Sequence, residues 1–139
     1  MPTTAAHAFL DGYRAAFVRR DADALLDCFT YPVHVTSVAG GRAGVSIAAS
    51  RDEWRPVLDY LLDAYAKLGV ADAGMPELEI AEPLDGVAHA RVHWQLRRED
   101  GSAVYDFTAV YTLARVDGAL RVAAIAHDEL PKLQAALAR

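Results

Sequence analysis

Apolar and polar residues alternate through the last third of the chain, from Val87 to Glu129, with the two-residue period of long antiparallel strands. The predicted strands are Val87–Arg98, Ser102–Arg115 and Ala119–His127. Asp100-Gly101 and Asp117-Gly118 lie between them, and an Asp-Gly pair between alternating runs is the strongest short-range hairpin signal in a sequence. A meander of this length needs other elements to cover its apolar face.

The second of these strands alternates over its whole length, so the residues on each of its faces can be assigned directly. One face carries Tyr105, Phe107, Ala109, Tyr111 and Leu113, and the other carries Val104, Asp106, Thr108, Val110 and Thr112. The length of the loop before this strand decides which residues of the preceding strand share the apolar face.

Two loop lengths are compatible with the sequence at this hairpin. A two-residue loop, Asp100-Gly101, pairs Trp94 with Phe107, Leu96 with Tyr105 and Val92 with Ala109, and leaves Arg91 and His93 on the opposite face. A three-residue loop, Glu99–Gly101, turns His93 toward the interior instead. The two-residue loop is favoured, because it keeps apolar residues opposite one another.

Three helices are predicted upstream of the meander. The first is capped by Thr3 or Thr4 and runs to about Arg19, and the second, Ala22–Phe29, follows a cap at Asp21. Ser50 and Glu53 form a capping box that opens the third helix, which ends at Gly69. The third helix presents an apolar stripe with helical spacing, formed by Trp54, Val57, Leu58, Leu61, Leu62, Tyr65 and Leu68.

The remaining segments complete an α+β chain. Short strands are predicted at Val33–Ser37, Ala43–Ala48 and Glu77–Glu82, and a terminal helix at Leu130–Ala138. Helices that are segregated onto one face of a curved antiparallel sheet form a cone, with a cavity between the sheet and the first and third helices. With 139 residues the chain is interpreted as a single domain, residues 1–139.

Charge and composition exclude several classes of partner. A net charge of −5 argues against nucleic acid, because phosphate binding needs clustered Lys and Arg. The single cysteine, Cys28, excludes an internal disulfide and is expected to be a buried, unreactive thiol. No apolar run approaches the ~18 residues of a membrane span, so no membrane association is predicted and a cytoplasmic location is expected.

Motifs at both ends of the chain resemble a known superfamily. They are Tyr13, the run Asp21-Ala-Asp-Ala-Leu-Leu-Asp-Cys-Phe29, and the ending Tyr111-Thr-Leu, Asp117-Gly118 and His127. Together with the element order, they are similar to the nuclear-transport-factor-2-like superfamily, and within it to SnoaL-like domains. The resemblance implies the cystatin-like cone fold. It does not name a reaction, because members include isomerases, hydrolases, dehydratases, cyclases and binding modules.

Two enzyme groups of the superfamily test whether a known catalytic set is present. The ketosteroid isomerases use a tyrosine that matches Tyr13, but their base falls on Ser37 and their second acid on Ala109 or Val110. The limonene-epoxide-hydrolase-like members use carboxylates where this chain has Arg91-Val92-His93 and Ile125. Neither set is intact, so neither chemistry is predicted in its usual form.

His127 and Tyr13 remain as candidate catalytic residues. His127 ends the last strand, which in relatives lines the mouth of the pocket, and a histidine there can serve as a general base oriented by Asp128 or a tyrosine. The alternative is a hydrogen-bonded histidine at the sheet edge, with Asp128-Glu129 as the acidic start of the terminal helix. No metal site is predicted, because His89 and His93 on one strand lie about 13 Å apart.

The predicted ligand is a small, mostly apolar organic molecule held in the conical pocket, with no cofactor. The residues predicted to contact it are Phe17, Trp54, Leu58, Tyr105, Phe107 and Tyr111. The tyrosines among them need partners for their hydroxyl groups, which water or a ligand in an open interior can supply. Two alternatives stay open: an acid–base isomerase, cyclase or dehydratase that uses His127 and Tyr13, and a non-catalytic dimerisation module with a packed interior.

The outer face of the sheet is predicted to form a homodimer contact. Val104 and Val110, and Trp94 in the alternative register, make that face too apolar for open solvent. Relatives commonly dimerise through the same face, so the resemblance implies a homodimer.

Overall fold

The computed structural model describes residues 2–139, with side chains from residue 4 onward. The elements in chain order are α1 (Pro2–Val18), α2 (Ala22–Leu26), β1 (Phe29–Ala39), β2 (Arg42–Ala48), α3 (Arg51–Leu68), β3 (Asp72–Leu84), β4 (Val87–Arg97), β5 (Ala103–Val116), β6 (Ala119–His127) and α4 (Glu129–Leu137). This is the predicted order of helices and strands, and the α+β class is confirmed.

The six strands form one curved, unclosed sheet in the order β2-β1-β6-β5-β4-β3. Every neighbouring pair is antiparallel except β1 and β6, which run parallel. The helices pack against the inner face, and the side chains buried most completely include Leu10, Leu25, Leu26, Phe29, Leu58, Tyr111, Leu113 and Val122. None of the described helices is long and apolar enough to cross a membrane.

The predicted N-terminal caps of α2 and α3 and the predicted C-terminal stop of α3 are confirmed. Asp21 accepts a hydrogen bond from the amide of Ala24 at 3.1 Å, and Ser50 accepts one from the amide of Glu53 at 3.2 Å. Gly69 ends α3 in the left-handed conformation, with φ of +77°. These local signals are sufficient because capping depends on residues only three positions apart.

Other predicted boundaries were wrong, and at α2 and β3 the cause is a contact with a distant strand. α1 begins at Pro2, so Thr3 and Thr4 lie inside the helix rather than at its cap. α2 ends at Leu26, because the carbonyl of Cys28 accepts a hydrogen bond from Val122 of β6 at 2.7 Å and the chain there joins the sheet. Pairing with β4 likewise extends β3 well beyond the predicted Glu77–Glu82.

The β4–β5 hairpin has the predicted register but not the predicted loop. Trp94 pairs with Phe107, as a two-residue loop requires. The loop nevertheless has three residues, because the amide of Arg98 donates to the carbonyl of Ser102 at 2.9 Å and Gly101 takes a φ of +85°. A bulge at Val104 then inserts one extra residue into β5, and this restores the register.

The outer face of the sheet differs from the prediction in its apolar residues. Trp94 and Val104 are buried in the core, so the argument for a dimer contact loses both of them. Val45, Ile47 and Val110 are among the large apolar residues exposed on this face, at 74%, 53% and 42%. The register places Val45 and Val110 in one row across the sheet, so the apolar part of the face covers β2, β1, β6 and β5.

The outer face of β4 is polar. His93 lies there, as the favoured register predicts, and its Nε2 is 3.0 Å from Oδ2 of Asp106. Arg91 is on the same face and forms an ion pair with Glu79 at 2.5 Å. The outer face therefore has an apolar half and a charged half.

Candidate functional site

A cavity of about 110 Å³ lies between the inner face of the sheet and helices α1, α3 and α4. Seven of the predicted site residues line it: Tyr13, Phe17, Trp54, Leu58, Phe107, Tyr111 and His127. The eighth, Tyr105, is not part of the lining; its hydroxyl reaches Glu129 instead. The structure therefore brings seven of these residues together around one space, and their roles toward a ligand remain predictions.

The lining is almost entirely apolar and aromatic. Further side chains that were not predicted to contact a ligand complete it, chiefly Phe29, Tyr65, Trp94, Leu96, Ile125 and Leu133. Val57, Tyr60 and Leu130 also line the cavity but are exposed to solvent, so they form its rim. The rim lies between α3 and α4.

Glu129, the first residue of α4, is the one buried acidic group in the described part of the chain, with 7% of its surface exposed. Its Oε2 accepts a hydrogen bond from the hydroxyl of Tyr105 at 2.7 Å and another from the hydroxyl of Tyr65. Burial raises the pKa of the Glu129 carboxyl to about 7, although the two tyrosine hydrogen bonds act in the opposite direction. A carboxyl that is partly protonated at neutral pH therefore faces the cavity.

The sequence interpretation missed Glu129, since Asp128-Glu129 at the end of a strand has the pattern of an acidic first helical turn. One signal was present: buried tyrosines need hydrogen-bond acceptors, and a nearby carboxylate is a strong one. Asp128 does not fill the role suggested for it. Its Oδ1 accepts a hydrogen bond from the amide of Thr108 at 2.9 Å, and its Oδ2 is 3.6 Å from Nζ of Lys132.

The ring of His127 accepts a hydrogen bond from a backbone amide two residues later in the chain. The amide of Glu129 donates to Nδ1 of His127 at 3.2 Å. Burial lowers the pKa of His127 below its ordinary value, so the ring is neutral at neutral pH. Because Nδ1 accepts a hydrogen bond, the proton of the neutral ring lies on Nε2. In this arrangement His127 is a hydrogen-bond donor.

Tyr13 is 4% exposed and is surrounded by other rings. Its ring centroid is 5.0 Å from that of Phe17 and 5.5 Å from that of Tyr111, both in edge-to-face geometry. Burial raises the pKa of the Tyr13 hydroxyl well above its ordinary value, and the adjacent Tyr111 adds to the rise. Tyr111 itself accepts a hydrogen bond from Nε1 of Trp94 at 3.0 Å. Tyr13 therefore stays protonated and can donate a hydrogen bond.

Two further polar groups belong to the same region. Arg14 lies at the edge of the cavity and forms an ion pair with Asp72 at 2.5 Å. The indole N–H of Trp54 is buried, and no residue in the described part of the chain accepts a hydrogen bond from it. A buried donor without a partner typically costs about 1–3 kcal/mol, so an acceptor supplied from outside the chain would be favourable here.

Within residues 4–139, no three His, Cys, Asp or Glu side chains are grouped closely enough to hold a metal ion. His89 and His93 lie on β4, and the ring of His93 contacts Asp106 rather than a second histidine.

The architecture defines the class of protein, an NTF2-like domain with a cystatin-like fold. The chain belongs to the NTF2-like protein family DUF6841, whose model matches residues 4–130. The predicted nuclear-transport-factor-2-like membership is thereby confirmed. A comparison with curated protein sequences gives no significant match.

Solved structures with the same fold are distant in sequence. An NTF2-like protein with a cystatin-like fold from Novosphingobium aromaticivorans is 18% identical, with a TM-score of 0.71 over 98% of this chain and 86% of that one. An NTF2-like protein of unknown function from Shewanella oneidensis is also 18% identical, with a TM-score of 0.69 over 92% and 99%. A ketosteroid isomerase-like protein from Erwinia carotovora atroseptica is 17% identical, with a TM-score of 0.66 over 90% and 93%. At these identities the likeness concerns the fold alone.

Proposed function

We propose that this protein binds a small, mostly apolar organic molecule in the cavity between α1, α3, α4 and the sheet. The observation that carries the proposal is the cavity itself, about 110 Å³ lined by aromatic and aliphatic side chains. An apolar cavity of about 150 Å³ in another protein stays free of water and binds benzene, so a ligand of about one ring is a reasonable size. The same space argues against the alternative of a dimerisation module with a fully packed interior.

Features of the rim and wall support this proposal. Val57, Tyr60 and Leu130 give an apolar ligand a surface on which to enter. The buried N–H of Trp54 and the carboxyl of Glu129 provide hydrogen-bonding groups that can orient a ligand inside an otherwise apolar space.

A cavity-filling variant tests the proposal. Ala73 is buried on β3 and lines the cavity, so Ala73→Phe should fill the space without removing a polar group. Ala81→Phe on the same strand is the matched control, because Ala81 is exposed on the outer face. Both tryptophans of the chain line the cavity, so their fluorescence reports its occupancy during titration with toluene and benzyl alcohol. Binding to the wild type and to Ala81→Phe but not to Ala73→Phe is expected; equal binding to all three would place the ligand elsewhere.

A second candidate is an acid–base enzyme, and the raised pKa of Glu129 favours it. A carboxyl with a pKa of about 7 can both accept and return a proton near neutral pH. In the proposed step, Glu129 removes a proton from the carbon next to a carbonyl group, and the electron pair moves to the carbonyl oxygen. The protonated Tyr13 hydroxyl and the Nε2–H of His127 are the candidate donors to that oxygen. The sequence interpretation gave the role of base to His127; the hydrogen bond on its Nδ1 favours the role of donor.

Deuterium exchange separates these two assignments. The wild type should accelerate exchange of the α-protons of cyclohexanone in heavy water, followed by NMR. Glu129→Gln should lower the accelerated rate by about 100-fold or more, because it removes the base, whereas His127→Gln should have a smaller effect. A larger loss of rate in His127→Gln than in Glu129→Gln would return the role of base to His127. A wild type that does not exceed the buffer rate would exclude this proton abstraction.

We also propose that the protein forms a homodimer in the cytoplasm, as the sequence predicted, through the apolar half of the outer sheet face. Val45, Ile47 and Val110 support this proposal, since large apolar side chains on one sheet face are favourable sites for association.

A further inference from the structure

We propose that the molecule bound in this cavity carries a protonated amine whose counter-ion is Glu129. The inference rests on the ligand-binding function proposed above and adds the chemical class of the ligand.

Glu129 is a buried acid without a cationic partner. Among the described residues, no Arg, Lys or His side chain forms an ion pair with it. Arg14, the guanidinium that lines the same cavity, is already paired with Asp72. Buried carboxylates in proteins are normally paired with a cation or neutralised by a raised pKa, and a cation that enters with the ligand would supply the partner that Glu129 lacks.

The hydrogen bonds of Glu129 leave one of its oxygens available. The hydroxyls of Tyr65 and Tyr105 both donate to Oε2. In the described part of the chain no side chain donates to Oε1, so this oxygen is left to accept a hydrogen bond from a bound molecule. An ammonium group has donors only and therefore matches such an acceptor.

The walls of the cavity suit the rest of such a ligand. Nine Phe, Tyr and Trp side chains contribute to the lining: Tyr13, Phe17, Phe29, Trp54, Tyr60, Tyr65, Trp94, Phe107 and Tyr111. The faces of aromatic rings attract cations, and their area buries an apolar carbon skeleton. An anionic ligand would be repelled by the ionised carboxylate of Glu129. A neutral ligand would leave that carboxylate without a counter-charge. The net charge of −5 also favours the approach of cations.

The proposed ion pair makes amine binding depend on pH. The titratable or charged groups around Glu129 are Tyr13 and Arg14 from α1, Tyr65 from α3, Tyr105 and Tyr111 from β5, His127 from β6, and the neighbouring Asp128. The tyrosines remain protonated near neutral pH and the pKa of His127 is lowered, so Glu129 is the group that changes charge as the pH passes about 7. An ammonium selects the ionised carboxyl, so its affinity should rise from pH 6 to pH 8 and then level off.

The test compares benzylamine with its neutral analogue benzyl alcohol, using tryptophan fluorescence and calorimetry at pH 8. The wild type should bind benzylamine about tenfold more tightly than benzyl alcohol, and Glu129→Gln should abolish this preference. Gln keeps an acceptor for the two tyrosine hydroxyls, so this variant is expected to fold. Glu99→Gln removes the same charge from the exposed β4–β5 loop and should retain the preference.

The outcomes distinguish this inference from the proposal on which it rests. Benzyl alcohol binding as tightly as benzylamine would overturn the amine inference and leave ligand binding in place. A preference for the amine that persists in Glu129→Gln would also overturn it. Failure of benzylamine, benzyl alcohol and toluene alike to bind would remove the proposed ligand-binding function itself, and the amine inference with it.

Discussion

The hydroxyl of Tyr105 on β5 donates a hydrogen bond to Oε2 of Glu129 on α4, 2.7 Å away and 24 residues later in the chain. This contact, with the parallel one from Tyr65 of α3, connects the terminal helix to both layers of the fold. It also fixes the carboxyl of Glu129 at the cavity wall. The buried acid is therefore part of the fold as well as of the candidate site, and its titration should affect both.

The stability of the protein should fall as the pH rises through the titration range of Glu129. Burial raises the pKa of its carboxyl from 4.5 to about 7, so the folded state binds a proton that the unfolded state has already released. The stabilisation that this bound proton gives the folded state is present below about pH 4.5 and is lost as the pH rises to about 7. Relative to Glu129→Gln, the wild type should lose roughly 3 kcal/mol of unfolding free energy between about pH 4 and pH 8.

Urea unfolding of both proteins across this range measures the difference directly, because contributions from the other groups cancel. Glu99→Gln, which removes an exposed carboxyl, serves as the control and should follow the wild type. A constant difference between wild type and Glu129→Gln at every pH would show that this carboxyl titrates normally.

Removing either tyrosine hydroxyl should raise the pKa of Glu129 further. The hydrogen bonds from Tyr65 and Tyr105 stabilise the ionised carboxyl and lower its pKa, so Tyr105→Phe and Tyr65→Phe each remove a lowering effect. Each variant should also lose about 1 kcal/mol of stability. Carbon NMR of the Glu129 side chain as a function of pH gives the midpoint of its titration in each protein. Tyr60→Phe, at the exposed rim, is the control. An unchanged midpoint in both variants would contradict the hydrogen-bond geometry.

His127 should be found as the Nε2–H tautomer at neutral pH. Its Nδ1 accepts a hydrogen bond from the amide of Glu129, and burial lowers the pKa of the ring. Long-range nitrogen–proton NMR spectra distinguish the two tautomers by the shifts of the ring nitrogens. Observation of a proton on Nδ1, or a midpoint above that of a free histidine, would contradict this assignment and restore His127 as a candidate base.

A charge on the apolar half of the outer sheet face should prevent dimer formation. Val110→Lys or Ile47→Lys is expected to convert the proposed homodimer to a monomer, because a lysine would be buried against the partner without a counter-charge. Light scattering after size-exclusion chromatography measures the mass. Glu77→Lys, at the polar end of the same face, should leave the dimer intact. A wild type that is monomeric at concentrations of tens of micromolar would exclude the proposed dimer.

The elements of the fold could be predicted because their signals are local. Alternation in β5, the Asp-Gly turns and the caps at Asp21 and Ser50 depend on residues only a few positions apart. The parallel pairing of β1 with β6 and the early end of α2 depend on contacts between distant segments, and no local pattern encodes them.

The candidate site could be predicted only where periodicity defined it. Tyr13, Phe17 and Leu58 follow helical stripes, so their inward direction was readable from the sequence. The burial of Glu129 depends on how α4 packs against β5 and α3, and the residue lies in a first helical turn, where exposed acids are common. Tyr105 was predicted to contact the ligand, but its hydroxyl is directed to Glu129 instead.

The bulge at Val104 and the three-residue loop of the β4–β5 hairpin have opposite effects on the register between the two strands, so the register is unchanged. Each adds one residue, and since side chains alternate, one addition alone would exchange the two faces of β4. A homologous chain with the same loop but no bulge would direct its counterpart of His93 into the cavity and its counterpart of Trp94 to solvent. Loop length and bulge must therefore be counted together before a residue of this strand is assigned to the interior in any other member of the family.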